Sequence, residues 1–310
     1  MQRQRLAKAL GRFAHRQLSG AYLRWAEHVA EAQWQRRVLG RALAKMAQRQ
    51  LSGAFEAWMS AVQEAQAKAD DKQPAVLFFH QGGLVILDLD TCHTFCTQLA
   101  EICRAQVISL DYRLCPEHAF PAPIDDAMAL WDHVQQNAGS LNIDPARVAV
   151  AGDSAGGLIS ANMCHLLKAR GGVQPAAQLL VYPWVSTDVT ETGSMASCAA
   201  TFPLTRETMN FFNTCVFPDG KMMDNALANP TDNPDLSGLP PAIVATAGFD
   251  PIRDQGNAYA EKLKAAGNQV VHYCFGALTH SFLSFGGVTR VADQACEQLA
   301  RDLSTHLNTR

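Results

Sequence analysis

An apolar run of strand length, Val148-Ala149-Val150-Ala151, stops at Gly152-Asp153-Ser154-Ala155-Gly156-Gly157 and gives way to a small-residue stretch that opens a helix. Gly-x-Ser-x-Gly between strand and helix is the pattern of a nucleophile elbow. The chain reverses so tightly that the serine sits strained at the tip, and the flanking positions admit no side chain. A phosphate-binding loop is the rival reading. Asp153 would set a carboxylate beside the anion, however, and no Gly-Lys-Ser/Thr follows. A chain built around this stretch needs more strands, whose ends bring partners to Ser154.

Such strands recur. Apolar runs at 75–79, 105–110, 147–151, 177–182, 242–247 and 269–275 read as strands, and helical patterns lie at 91–104, 123–136, 155–170, 255–266 and 292–307. This alternation builds an α/β domain with a mostly parallel sheet covered on both faces. The span 183–239 is too long for a connecting loop and holds a helical stretch at 206–216, so it is expected to fold over the mouth of the site as a lid. Residues 67–73 are polar and of mixed charge and read as a linker, which places the domain at 74–310.

In a sheet of this kind the partners of the serine follow later strands, in the order acid, then histidine. Asp250 comes just after the run at 242–247, and His280 follows the run at 269–275. His280 would take the proton of the Ser154 hydroxyl, and Asp250 would fix the imidazole tautomer and stabilise the imidazolium. Asp254 is the rival acid, but it lies a helical turn further on and is expected to cap the helix there. His80-Gln81-Gly82-Gly83 follows the first strand, where bare backbone can approach a substrate. The amides of Gly82, Gly83 and Ala155 would supply three donors to an oxyanion.

Other candidates carry less. Cys92-His93-x-x-Cys96 has no second ligand pair to complete a metal site and reads as core or surface. His118, His133 and His165 read as structural or surface residues, Asp125-Asp126 as a helix start, and Trp131 and Trp184 as packing.

Charge divides the chain. Residues 1–70 hold twelve Lys/Arg against five Asp/Glu, although the whole is −3, so the remainder is strongly acidic. The basic segment is also a repeat. Arg16-Gln17-Leu18-Ser19-Gly20-Ala21-Tyr22-Leu23-Arg24-Trp25 returns 33 residues later as Arg49-Gln50-Leu51-Ser52-Gly53-Ala54-Phe55-Glu56-Ala57-Trp58. Apolar positions recur at helical steps in both copies, giving a two-repeat helical extension over 1–66. A basic amphipathic helix with aromatic anchors suits an acidic calcium-sensor groove; a hairpin packed on itself or on the main domain is the alternative. Charge alone would permit nucleic-acid binding, but no groove-reading motif accompanies it.

Nine scattered cysteines without framework spacing point to a reducing compartment and a cytoplasmic location. The Arg-rich, acid-free residues 1–26 leave mitochondrial import as the alternative, and no apolar run reaches membrane-spanning length.

Five motifs occur in order: His80–Gly83, Asp111-Tyr112-Arg113-Leu114-Cys115-Pro116-Glu117-His118, Gly152–Gly157, Asp250-Pro251-Ile252-Arg253-Asp254, and His280. Residues 74–308 thereby resemble the hormone-sensitive-lipase family of α/β-hydrolase esterases. The resemblance implies an α/β-hydrolase fold and hydrolysis of short- to medium-chain acyl esters, without a cofactor. It maps Ser154, Asp250 and His280 onto the triad, Gly82, Gly83 and Ala155 onto the oxyanion hole, and His80 onto the residue that orients the glycine loop. The alternative is a weak or inactive hydrolase-fold scaffold that recruits a partner through residues 1–66, a segment similar to the 33-residue centrin-binding repeats of spindle-pole proteins. Three departures stand out. Gln81 and Ser281 occupy places where the family pattern has Gly, and the family's N-terminal strand pair is missing, which would expose a sheet edge.

Overall fold

The computed structural model describes residues 72–308. Six strands, β1 (Gln73–Phe79), β2 (Gln106–Leu110), β3 (Ile143–Asp153), β4 (Gln178–Val181), β5 (Ala242–Phe249) and β6 (Val270–Thr279), form one sheet in the order β2-β1-β3-β4-β5-β6. All five pairings are parallel. Between and after the strands run α1 (His93–Cys103), α2 (Ala122–Asn137), α3 (Ala155–Ala169), α4 (Gly193–Ser197), α5 (Arg206–Val216), α6 (Arg253–Ala265) and α7 (Arg290–Asn308).

The two-residue period of a strand sends alternate side chains of β1 into two separate cores. Ala75, Leu77 and Phe79 join Trp131 of α2, Leu158 of α3 and Tyr259 of α6 on one face. Val76 and Phe78 join Leu99 of α1 and Leu299 and Leu303 of α7 on the other. Both faces of the sheet are covered, so its strands read in sequence as unbroken apolar runs rather than alternating ones.

Several boundaries differ from the sequence reading. Gln73, assigned to the linker, opens β1 and donates its amide to the Asn142 carbonyl. β3 begins at Ile143 rather than 147, running through Pro145 with a register shift against β1 that absorbs the missing donor. β5 and β6 both continue past glycines, to Phe249 and Thr279. A Cβ on Gly248 would run into the Gly276 backbone, so glycine at 248 extends the strand pair by letting the two backbones approach closely.

The span 183–239 contains α4, α5 and a short 3-10 turn at Pro230–Asp232. α5 occupies the expected residues, its N-terminus capped by Thr205 Oγ1 accepting from the Thr208 amide at 3.0 Å. Asp254 does not cap its own helix: residue Ile252 holds the N-cap position of α6, with no side-chain cap. The Asp254 carboxylate instead accepts from the Ser194 amide of α4 at 2.7 Å, while Ser194 Oγ accepts from the Asp254 amide at 3.0 Å. Each helix start thus borrows its cap from the other. Of the Asp125-Asp126 pair, only Asp125 serves the start of α2. Asp126 accepts from the Arg113 amide and pairs with its guanidinium at 2.6 Å.

β2 pairs only with β1 and forms one edge of the sheet among the described residues. The two-repeat extension over 1–66 and the expected loss of an N-terminal strand pair lie outside them. No helix among the described residues is long and apolar enough to cross a membrane.

Candidate active site

The turn between β3 and α3 places Ser154 at φ 54° and ψ −114°. A non-glycine residue in such a conformation carries on the order of 1–3 kcal/mol of strain, which persists only where its surroundings enforce it. They do so here. A Cβ on Gly152 would strike the Gly156 backbone, and one on Gly156 would strike the Phe79 carbonyl of β1. The Ser154 amide donates to Val181 O of β4 at 2.9 Å, and its carbonyl accepts from Trp184 N at 3.0 Å.

β5 and β6 bring in two further groups. His280 Nε2 lies 2.9 Å from Ser154 Oγ, and its Nδ1 lies 2.7 Å from Asp250 Oδ2. A carboxylate only accepts, so Nδ1 carries the ring proton and Nε2 is left to accept from the serine hydroxyl. The Ile252 amide donates to Asp250 Oδ1 at 2.9 Å, occupying the other carboxylate oxygen. Asp250 is fully buried, and His280 and Ser154 nearly so. The Tyr182 ring lies against the imidazole at a centroid separation of 4.7 Å. Such a chain can draw a proton from the hydroxyl and store it on an imidazolium beside a fixed negative charge.

The loop after β1 adds donors. Gly82 at φ 123° and Gly83 at φ 61° take up conformations that L side chains rarely adopt. The amides of Gly82, Gly83 and Ala155 donate to no protein acceptor among the described residues. For Ala155 this is the ordinary state of a first helical residue. His80 braces the loop from behind. Its Nδ1 donates to the Gln81 carbonyl at 2.7 Å, its carbonyl accepts from Tyr112 Oη at 2.8 Å, and the two rings stack at 4.2 Å. Burial holds the His80 imidazole below its ordinary pKa. Over the loop sits α5: a Cβ on Gly83 would overlap the Phe212 ring.

Gln81, which replaces a family glycine, stays out of the left-handed region and so leaves the loop intact. Ser281 does enter it, at φ 63°.

A set of contacts around this centre escaped the sequence reading. Asp153, beside the serine, is fully buried and accepts from Tyr182 Oη at 2.9 Å, and the Cys92 thiol faces it at 3.4 Å. Burial pushes its carboxyl up to about 6. Tyr182 Oη also accepts from the Leu283 amide at 3.3 Å, linking Asp153 to the turn that carries His280. No local signal in the sequence marks these contacts, which join the end of β3 to Cys92 and Leu283 in 3-10 turns and to Tyr182 just after β4. Of the residues set aside, Cys92 is buried against Asp153 and Cys96 half-buried, while His93, His118 and His133 are exposed. His165 is buried with Nε2 3.0 Å from Tyr259 Oη, and Trp131 and Trp184 lie in the core.

A family model described as alpha/beta hydrolase fold matches residues 76–284. The carboxylic ester hydrolase LipN of Mycobacterium tuberculosis is 41% identical over 248 residues, covering 76% of this chain and 64% of the relative. The carboxylesterase NlhH of the same species is 40% identical over 228 residues, covering 73% of this chain and 71% of its own length. Among solved structures, the thermostable carboxylesterase EstE1, cloned from a metagenomic library, superposes with a TM-score of 0.75 at 36% identity, over 78% of this chain and 82% of its own. With a parallel sheet, a strained serine and these relatives in agreement, the chain belongs to the α/β-hydrolase fold family, among the carboxylesterases of the hormone-sensitive-lipase type.

Proposed function

We propose that this chain hydrolyses carboxylic esters with short- to medium-length acyl groups, through an acyl-enzyme on Ser154. The observation that carries the reading is the unbroken relay Ser154 Oγ, His280 Nε2, His280 Nδ1 and Asp250 Oδ2, at 2.9 and 2.7 Å, together with unengaged amides at Gly82, Gly83 and Ala155.

Ser154 Oγ attacks the ester carbonyl carbon as His280 Nε2 takes its proton. The carbonyl oxygen gains the negative charge and accepts from the amides of Gly82, Gly83 and Ala155, each such donor being worth about 10²–10³ in rate. The intermediate collapses, the C–O bond to the alcohol breaks, and His280 returns the proton to the departing alkoxide. Water then attacks the acyl-serine by the same route, releasing the acid and restoring the hydroxyl. Asp250 holds the imidazole in register and stabilises the imidazolium.

The Phe212 ring over Gly83 supports the limit on acyl length, and α4 and α5 within 183–239 support a lid role for that span. The test is turnover of p-nitrophenyl acetate, butyrate and longer esters by wild type and Ser154→Ala. Turnover that falls with chain length and vanishes in the variant is expected; equal activity in both would overturn the reading.

The 33-residue repeat favours a second role, binding of an acidic calcium-sensor protein by residues 1–66. Calcium-dependent binding of the full chain to a centrin-like protein, weakened by Trp25→Ala with Trp58→Ala, is expected. Absence of binding at micromolar concentrations would remove that role.

A further inference from the structure

The two halves of the site leave strands that are not neighbours. The Gly82 and Gly83 amides follow β1 and the imidazole follows β6, with β3, β4 and β5 between them in the sheet. Main-chain pairing therefore cannot set their mutual distance directly. One side chain crosses the gap. The Gln81 amide lies between His80 and the glycine donors, is only 4% exposed, and reaches the turn just after His280. Its Oε1 accepts from Ser281 Oγ at 2.5 Å, and its Nε2 donates to Ser284 Oγ at 3.0 Å.

The same turn is held from the other side. The Leu283 amide donates to Tyr182 Oη, which in turn donates to the buried Asp153. Ser281 is kept at φ 63°, a conformation unusual for a non-glycine residue, between these two grips. Of the two side-chain hydrogen bonds of Gln81, one runs to this strained residue itself and the other to Ser284, three residues on. The two family glycines replaced in this sequence, at 81 and 281, thus carry side chains that bond to each other across 200 residues.

We infer that Gln81 is a positioning residue for the reaction: its amide clamps the oxyanion loop to the His280 turn and fixes the amide donors relative to the imidazole. This rests on the esterase reading above. In a buried setting a side-chain amide with both ends engaged restrains rotation as well as distance, and the transition state demands both. Gln81 touches no reacting atom; it acts through Gly82 and His280.

The experiment compares wild type with Gln81→Met, Ser281→Ala, the double variant and Gln81→Glu. It reads kcat and KM on p-nitrophenyl butyrate, inhibition by a trifluoromethyl ketone, and thermal melting. Gln81→Met fills similar volume without the hydrogen bonds. It is expected to lower kcat about 10- to 100-fold with KM changed less than about twofold, and to weaken ketone inhibition in proportion. The double variant should be no worse than Gln81→Met alone. Gln81→Glu should recover much of kcat, because both serine hydroxyls can donate to a carboxylate. Should Gln81→Met fail to fold, Ser281→Ala, which removes one hydroxyl, gives the same readout. Ser154-dependent turnover that Gln81→Met or Ser281→Ala leaves within about twofold overturns the inference alone. So does a loss that adds fully in the double variant, or one that Gln81→Glu does not recover. A wild type without Ser154-dependent turnover overturns the esterase reading and this inference with it.

Discussion

Phe249 on β5 and Thr279 on β6 are register partners, and the residues that follow them are Asp250 and His280. The acid and the histidine are thus set side by side by the last rung of a strand pair, and their 2.7 Å contact follows from sheet register. The strands reach that rung only because Gly248, with no side chain, lets its backbone close on that of Gly276.

Asp250→Asn tests that alignment. An amide can present its NH2 to Nδ1, which shifts the ring proton to Nε2 and removes the acceptor for Ser154. We expect kcat on p-nitrophenyl butyrate to fall by about 10³–10⁴ while the thermal midpoint moves little. A loss of less than tenfold would assign the acid elsewhere.

The elbow predicts a stability effect. In Gly156→Ala the new methyl would meet the Phe79 carbonyl, and backbone cannot yield as a side chain does. Overpacking of this kind costs about 1–3 kcal/mol. In a domain of this size that lowers the melting midpoint by roughly 2–4 °C per kcal/mol. Calorimetry of the variant checks it, and an unchanged midpoint would contradict the packing described.

Asp153 predicts a pH dependence. Burial raises its carboxyl to about 6, so between its unfolded value near 4 and about 6 the native state binds a proton that the unfolded chain has released. Its contribution to stability is therefore fully present below about pH 4 and is lost as pH rises to about 6. Asp153→Asn, which keeps an acceptor for Tyr182 Oη, should lose that slope. Its melting midpoint relative to wild type should rise between pH 4.5 and 7, and a flat or falling difference would contradict the burial argument.

Phe212 predicts a change in selectivity. Truncating its ring above Gly83 in Phe212→Ala should raise the rate on p-nitrophenyl octanoate relative to acetate several-fold. The cavity left behind should destabilise the protein by about 3–5 kcal/mol. Chain-length profiles of kcat/KM measure the shift, and an unaltered profile would place the acyl group elsewhere.

How much of this was legible in the sequence depends on the range of the interaction. The elbow could be read at Gly152–Gly156 because its signature, an apolar strand, Gly-x-Ser-x-Gly and a helix start, is contiguous in the chain. Asp250 and His280 could be named as partners because both follow apolar runs and parallel strands present their carboxyl ends together. The ends of β5 and β6 were read short, since glycine ordinarily breaks a strand pattern and here admits a close approach. Asp254 was given to its own helix because capping is argued along the chain, whereas its partner is Ser194, sixty residues away. The Gln81 clamp could not be read at all. Its two departures from the family pattern were visible one at a time, but that they touch is a fact of the folded chain.

The most direct measurement is labelling of the full chain with a fluorophosphonate, followed by mass mapping. One equivalent of label on Ser154, lost in His280→Ala and absent from the heat-denatured protein, is the predicted result. No label on Ser154 in the folded wild type would contradict the claim that His280 activates its hydroxyl.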